Sequence, residues 1–163
     1  MSGRRLLDPD VPPEGTVTAF VAIGSNVGDR MAHVAFALEE LDRSPGVRLI
    51  RRSTLHETQP VGPPGQGPYL NAVVELASGL SPRQLLLTLL DIERKRGRDR
   101  SREARFGPRT LDLDLLTWGT ATPGDAAIDA PGLVVPHPRM HERPFVLLPL
   151  AELAPDLARR AAG

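Results

Sequence analysis

The chain has 163 residues, of which 40% are hydrophobic and 25% charged, so it has the composition of a globular protein and the length to bury a core. It contains no cysteine, which excludes disulfides and thiolate metal sites. No apolar run is long enough to span a bilayer, and the N-terminus lacks the apolar segment of a signal peptide. We therefore expect a cytoplasmic protein without a membrane segment.

The first third of the chain predicts a flexible N-terminal extension followed by a strand and a helix. Residues 1 to 15 are polar and contain three prolines, which predicts a disordered or loosely attached extension to a single domain of residues 16 to 163. Residues 16 to 23 are apolar and partly β-branched, as in a strand. Apolar residues from Met31 to Leu41 follow helical spacing, and Asp29 is suited to cap the N-terminus of that helix.

The middle of the chain predicts two further strands and a second helix. Residues 47 to 57 predict one strand, and residues 69 to 76 predict the next. Between them, residues 58 to 68 contain four prolines and three glycines, which predicts a loop. Ser81 followed by Pro82 is a strong start signal for a helix, with Ser81 as its N-cap.

The last third of the chain predicts a fourth strand and a final helix. Gly97 marks the end of the second helix, and residues 110 to 118 predict the strand. Residues 119 to 133 predict an irregular connection, residues 134 to 138 a short extended segment, and residues 141 to 153 a helix. This order is that of a split βαββαβ sandwich, so we predict an α+β fold with a mostly antiparallel sheet and helices packed on it.

A basic run from Arg94 to Arg105 carries seven positive and two negative charges. Such a run needs either a solvated surface or an anionic partner. It lacks interleaved aromatic residues, and the rest of the chain is slightly acidic, which argues against an extended nucleic-acid interface. A compact anion such as a nucleotide triphosphate fits better, because arginine forks match phosphate oxygens in pairs. A solvated helix end and loop is the alternative.

Asp112 and Asp114 alternate with three leucines in the fourth predicted strand, so the leucines suit the core and both carboxylates suit the opposite face. Two residues along a strand span about 6.6 Å, which lets both carboxylates approach one small group of cations. Mg²⁺ prefers one or two carboxylates together with water and substrate phosphates. The neighbouring basic run favours an ion-plus-phosphate site, whereas a solvent-facing strand with surface ion pairs is the alternative.

Two other features carry weaker signals. His137 lies between two prolines, and a single histidine of this kind is more often structural than functional. The spacing of the four histidines does not match the usual zinc sites. The segment Gly24-Ser25-Asn26 lacks the Lys-Ser/Thr of a phosphate-binding P-loop and is compatible with a simple strand-to-helix turn.

Six segments of the chain, in order, carry a resemblance to a known family. They are Ala22–Asp29, Glu57–Pro63, Tyr69–Ala72, Ile92–Glu93, Arg105–Leu115 and Val135–Met140. Through them the sequence resembles the 6-hydroxymethyl-7,8-dihydropterin pyrophosphokinases over roughly residues 17 to 157. The resemblance implies a ferredoxin-like α+β fold. It also implies transfer of an intact pyrophosphoryl group from ATP to the pterin hydroxymethyl oxygen, giving AMP, in folate biosynthesis.

The same resemblance implies roles for individual residues. It makes Asp112 and Asp114 the ligands of two Mg²⁺ ions, and these two form the catalytic set together with Arg98 and Arg109. The implied nucleotide and phosphate contacts are Glu93, Arg98, Arg100, Arg109, His137 and Arg143. The implied pterin-binding residues are Thr58, Val61, Tyr69, Asn71, Phe106 and Phe145. Two positions depart from the family pattern: Phe106 replaces a common Trp, and Gln59 replaces a frequent Pro.

The implied partners are ATP and 6-hydroxymethyl-7,8-dihydropterin, without nucleic acid or membrane, and we expect a monomer because nothing in the sequence marks an interface. Two other functions are compatible with the residues alone. Another Mg²⁺-dependent nucleotide phosphotransferase would differ in its acceptor, and residues 58 to 71 discriminate because they resemble a pterin pocket. A small RNA-binding α+β domain would use the basic run and would not need Asp112 and Asp114.

Overall fold

The computed structural model describes residues 3–59, 65, 67–97 and 110–163. In chain order the strands and helices are β1 (Val17–Ser25), α1 (Arg30–Arg43), β2 (Val47–Arg52), β3 (His56–Thr58), β4 (Tyr69–Ser78), α2 (Pro82–Lys95), β5 (Asp112–Trp118), β6 (Ile128–Ala130), β7 (Leu133–Val135), α3 (Pro144–Leu153) and α4 (Pro155–Ala162). A short 3-10 turn, Met140–Glu142, precedes α3. Within the described ranges, every helix is too short or too polar to cross a lipid bilayer.

The main sheet has the strand order β2-β4-β1-β5, and β3 continues the edge beside β4. All of these pairs are antiparallel. Helix α1 leads from β1 to β2, and β4 fills the space between these two strands. Helix α2 leads from β4 to β5, and β1 fills the space between them. This interleaving is that of two split βαβ units, and the predicted α+β class with a mostly antiparallel sheet is confirmed.

Helices cover both faces of this sheet. On one face, buried strand residues pack with α1 and α2; they include Ala19, Val21, Ile23, Val74, Leu76, Leu113 and Leu115. On the other, which we call the α3 face, Phe20, Val73 and Leu116 pack with residues of α3 and α4. Because side chains alternate along a strand, each central strand contributes to both cores. The sheet is therefore the middle of three layers.

Strand β1, helices α1 and α2, and strand β5 form where the sequence predicts them. Asp29 caps α1 by accepting the backbone N–H of Ala32 at 3.1 Å. Arg96 is the C-cap of α2, and Gly97 follows it with a φ of 88°, a conformation that glycine adopts without strain. The predicted end of this helix is thus displaced by one residue.

The single strand predicted over residues 47 to 57 is wrong, because residues 53 to 55 interrupt it between β2 and β3. Ser53 donates its backbone N–H to the Val73 carbonyl at 2.8 Å and accepts the Val73 N–H on its hydroxyl at 2.9 Å. These two bonds tie the interruption to the middle of β4. The strand then resumes as β3 beside the first residues of β4.

The irregular connection predicted over residues 119 to 133 is also partly wrong. It contains β6 and the start of β7, which pair as a small antiparallel hairpin. Gly132 has a φ of 72° in the two-residue turn that joins them, which a residue with a side chain adopts at a cost. Helix α4, beyond the last predicted helix, was not predicted.

The N-terminal extension contacts the body of the domain. Ala127 donates its N–H to the Arg5 carbonyl at 2.9 Å and accepts the N–H of Leu7 at 2.8 Å. Farther along, Pro9 accepts the N–H of Arg83, and Asp10 pairs with the Arg83 guanidinium at 2.7 Å. These bonds place residues 5 to 10 on the domain, whereas the flexibility of the extension in solution stays a prediction.

We expect Ser81→Ala to destabilise the protein by about 1 kcal/mol, the typical cost of losing a helix N-cap. The Ser81 hydroxyl accepts the Gln84 N–H at 3.2 Å, and the Gln84 side chain accepts the Ser81 N–H at 3.3 Å. Urea unfolding measures the loss. Leu87→Ala is the control on the same helix, because Leu87 is 55% exposed and its truncation should change stability by less than about 0.5 kcal/mol. Equal stabilities of the two variants would contradict the capping role.

Candidate functional site

Three strands bring polar side chains into one row across the α3 face. Gly24 of β1 lies directly opposite Asn71 of β4 on one side and Asp112 of β5 on the other. Asn71 precedes Val73 by two residues, and Val73 belongs to the core on this face, so Asn71 shares the face. Strands are about 4.8 Å apart, which places the backbones of Asn71 and Asp112 on the order of 10 Å from each other.

Gly24 separates the two halves of this row because it has no side chain. A Cβ atom at this position would lie 3.0 Å from Asn71 Oδ1 and 3.5 Å from Tyr69 Cδ1, so Asn71 would have to move by a few tenths of an ångström. The requirement for glycine here is steric. The turn predicted at Gly24-Ser25-Asn26 does not include this steric role of Gly24, which lies inside β1. The strand predicted over residues 16 to 23 stops one residue short of Gly24, whereas β1 runs on to Ser25, and a glycine inside a strand often marks close approach of another group.

The alternation predicted for β5 is confirmed. Leu113 and Leu115 are buried in the core against α2, whereas Asp112 and Asp114 are partly exposed on the α3 face. Asp114 Oδ2 lies 3.5 Å from Nη1 of Arg143, the residue that precedes α3. Among the described residues no cluster of three or more His, Asp or Glu side chains could hold a metal ion. Two carboxylates on one strand nevertheless fit Mg²⁺, which takes its other oxygens from water and substrate phosphates.

Glu93 holds β5 from the opposite side of the sheet. Its side chain is 1% exposed on α2, and its carboxylate accepts the backbone N–H of Leu113 at 2.7 Å. Leu113 stands between the two aspartates, so this bond fixes the strand segment that carries them. The contact of Glu93 with ATP implied by the resemblance stays a prediction.

His137 is fixed beside β5 by a bulge in that strand. Phe20 pairs with Thr117 and Val21 with Leu115, so Leu116 has no partner residue in β1. The Leu116 carbonyl accepts the backbone N–H of His137 at 2.9 Å. Bulges of this kind redirect a strand next to functional sites. The segment before His137 contains a cis bond between Val135 and Pro136.

The imidazole of His137 is neutral at pH 7. Its pKa is lowered to about 4, first by burial and then by the positive charge of Arg143, while Asp112 acts in the opposite direction. His137 Nδ1 accepts the backbone N–H of Arg139 at 3.2 Å, which leaves the ring proton on Nε2. His137 therefore offers a neutral N–H donor close to both Arg143 and Asp112.

The other half of the row lies at β3, β4 and the start of α3. Asn71 donates from Nδ2 to the hydroxyl of Thr58 at 2.6 Å, which orients the amide. Tyr69 lies opposite Thr58 in the neighbouring strand. The Arg143 guanidinium is 5.7 Å from the centre of the Phe145 ring, so Arg143 touches both halves of the site.

Asn26, in the turn before α1, and Arg30, the first residue of α1, lie beside this half, and neither is among the predicted site residues. Asn26 donates to the Gly67 carbonyl at 3.3 Å, and Arg30 donates to the Pro68 carbonyl at 2.9 Å. Five of the predicted site residues lie outside the described residues: Val61, Arg98, Arg100, Phe106 and Arg109.

We expect Arg143→Gln to raise the pKa of His137 above its value of about 4, because the variant removes the second largest cause of the depression. Burial remains, so the pKa should stay below the ordinary value of 6.5. The NMR shift of the His137 ring protons between pH 3 and 8, without added metal, measures the change. Arg159→Gln on α4 is the control and should leave the titration unchanged. An unchanged pKa in Arg143→Gln would contradict the assigned contact.

Comparison of the sequence with known proteins identifies the family of this chain. Residues 20–155 match the family described as 7,8-dihydro-6-hydroxymethylpterin-pyrophosphokinase (HPPK). A 2-amino-4-hydroxy-6-hydroxymethyldihydropteridine pyrophosphokinase from Bacillus subtilis is 41% identical over 145 residues, which are 89% of this chain and 83% of that protein. A protein of the same name from Methylorubrum extorquens is 44% identical over 139 residues, 85% of this chain and 84% of that protein. The chain therefore belongs to the 7,8-dihydro-6-hydroxymethylpterin-pyrophosphokinase family.

Proposed function

We propose that this protein transfers the pyrophosphoryl group of ATP to the hydroxymethyl oxygen of 6-hydroxymethyl-7,8-dihydropterin, giving AMP and the pterin diphosphate in folate biosynthesis. Membership of the family supports the reaction. The observation that carries it in this chain is the row formed by Asp112, Gly24 and Asn71. One row joins a cation-binding half to an amide and aromatic half, as a reaction between a nucleotide and a flat heterocycle requires.

The two substrates bind in the two halves of the row. ATP lies over the half with Asp112, Asp114, His137 and Arg143, and the pterin lies over the half with Thr58, Tyr69, Asn71 and Phe145. Arg98, Arg100 and Arg109 add phosphate contacts, Glu93 a nucleotide contact, and Val61 and Phe106 complete the pterin pocket. An amide such as Asn71 can both donate to and accept from the pterin edge. A ring stacked on the pterin adds about 1 kcal/mol beyond burial.

The chemistry needs positioning and charge stabilisation more than covalent help from the protein. The pterin hydroxyl oxygen forms a bond to the β-phosphorus of ATP while the bond from that phosphorus to the bridging oxygen of AMP breaks. Arg143 and the neutral Nε2–H of His137 donate to the phosphate oxygens on which charge spreads. When bound, two Mg²⁺ ions at Asp112 and Asp114 supply further neutralisation of the triphosphate.

Several wider expectations belong to the same proposal. Residues 16 to 163 act as one catalytic domain in a monomer, with ATP and the pterin as partners and without nucleic acid or membrane. Cytoplasmic localisation stays a prediction from the sequence.

We expect Asp112→Asn and Asp114→Asn each to lower kcat by at least about a hundredfold, the usual cost of removing a charge that stabilises the transition state. Their circular dichroism and melting temperature should stay close to the wild type, because both side chains lie outside the packed cores. Asp129→Asn, at an exposed position of β6, is the control and should keep full activity. Near-normal turnover of both variants at ordinary Mg²⁺ would refute the metal assignment.

The deciding assay is the formation of AMP from ATP with and without 6-hydroxymethyl-7,8-dihydropterin. AMP that appears only with the pterin supports the proposed function. AMP or ADP formed with a different acceptor would indicate another nucleotide phosphotransferase. Tight RNA binding that weakens steeply with salt and survives both aspartate substitutions would indicate an RNA-binding domain.

A further inference from the structure

A cluster of polar side chains joins the end of α3 to the interruption between β2 and β3. The Glu152 carboxylate accepts the backbone N–H of Thr54 at 2.9 Å and the Thr54 hydroxyl at 2.8 and 3.0 Å. It also contacts His56 Nε2 at 2.5 Å. These partners are 96 to 98 residues apart in the chain. One carboxylate thus joins two elements that are far apart in the sequence.

The same end of α3 has a second attachment. Arg51 donates to the carbonyl of Leu153, the last residue of α3, at 2.9 Å, and its guanidinium pairs with Glu75 of β4 at 2.6 Å. Glu152 itself is held as an anion. The Thr54 N–H, and then His56, lower the pKa of its carboxyl to about 2. The Glu152 carboxylate therefore keeps its negative charge at neutral pH.

The spacing of these contacts relates them to the pterin half of the site. His56 precedes Thr58 by two residues in β3, so both side chains lie on the same face of that strand. Phe145 precedes Glu152 by seven residues in α3, which is about two helical turns, so both lie on the same side of the helix. Glu152 therefore fastens the helix that carries Phe145 to the strand that carries Thr58.

Helix α3 cannot fix this gap by its own rigidity. Pro149 lies inside the helix, between Phe145 and Glu152, and has no N–H to donate to the Phe145 carbonyl one turn earlier. Polar contacts at its two ends add to the packing of Val146 and Leu150 on the sheet. Arg143 approaches Asp114 at the first end, and Glu152 binds Thr54 and His56 at the other.

We propose that Glu152 is a positioning residue for the pterin. By fastening the end of α3 to β3, Glu152 sets the distance between Phe145 and Thr58. The inference rests on the proposed function, because it assumes that the pterin binds between these two residues. Glu152 touches neither substrate in this arrangement and acts only through the placement of α3.

The test compares steady-state kinetics of the full chain with Glu152→Ala and Glu152→Gln, using ATP and 6-hydroxymethyl-7,8-dihydropterin as substrates. Glu152→Ala should raise KM for the pterin about tenfold, since a displacement of the order of 1 Å at a binding group costs that much or more. The KM for ATP and kcat should stay within about twofold of the wild type. Glu152→Gln keeps an acceptor for the Thr54 N–H, so its KM for the pterin should lie between the values of the wild type and Glu152→Ala. It also serves if Glu152→Ala does not fold.

Asp10→Ala is the matched control, because it breaks another long-range ion pair, between Asp10 and Arg83 at 2.7 Å, on the opposite side of the sheet. It should leave the pterin KM unchanged. In a Phe145→Leu background, Glu152→Ala should raise the pterin KM much less than in the wild type, because the ring that Glu152 positions is gone.

Three results would overturn the inference: an unchanged pterin KM in Glu152→Ala and Glu152→Gln, equal losses for both substrates, or full additivity with Phe145→Leu. Each of these results is informative only if the wild-type protein consumes the pterin. A wild type that forms no AMP with the pterin would instead refute the proposed function itself.

Discussion

The register of β1 against its two neighbours is the constraint on which the site depends. Gly24 brings Asn71 and Asp112 into one row only while β1 pairs with β4 and β5 as it does here. If β5 slipped by one residue, Asp112 and Asp114 would face the core beneath α2, and the leucines of β5 would face the opposite side of the sheet. Burial of two unpaired carboxylates would cost several kcal/mol each, so the hydrophobic pattern that builds the core also fixes the site.

The carboxylates of the row need more positive charge beside them before a triphosphate can bind. Asp112 and Asp114 alone would repel a triphosphate, and Arg143 lies 3.5 Å from Asp114. Phosphate binds beside two carboxylates only when cations offset their charge, and in the proposed function Mg²⁺ and the basic run would supply those cations. A neutral His137 adds a donor without adding charge.

Local patterns predicted those elements whose residues suit a core or a cap, and they predicted which face the two aspartates occupy. The interruption after β2 could not be predicted, because Ser53 and Thr54 bind partners 20 and 98 residues away. Strands β6 and β7 have three residues each, too few to show an alternating pattern. The place of Gly24 depends on the register of three strands, and no single segment carries that information.

Strand β5 forms one edge of the main sheet, and an open strand edge can pair with a strand from another chain. Along this edge the N–H of Leu113 is bound by Glu93, and the carbonyl of Leu116 is bound by His137. Two groups with which a foreign strand would pair are thus already occupied. The contacts that hold β5 in place therefore also oppose edge-to-edge association, and substitutions that weaken them would favour aggregation as well as disturb the proposed site.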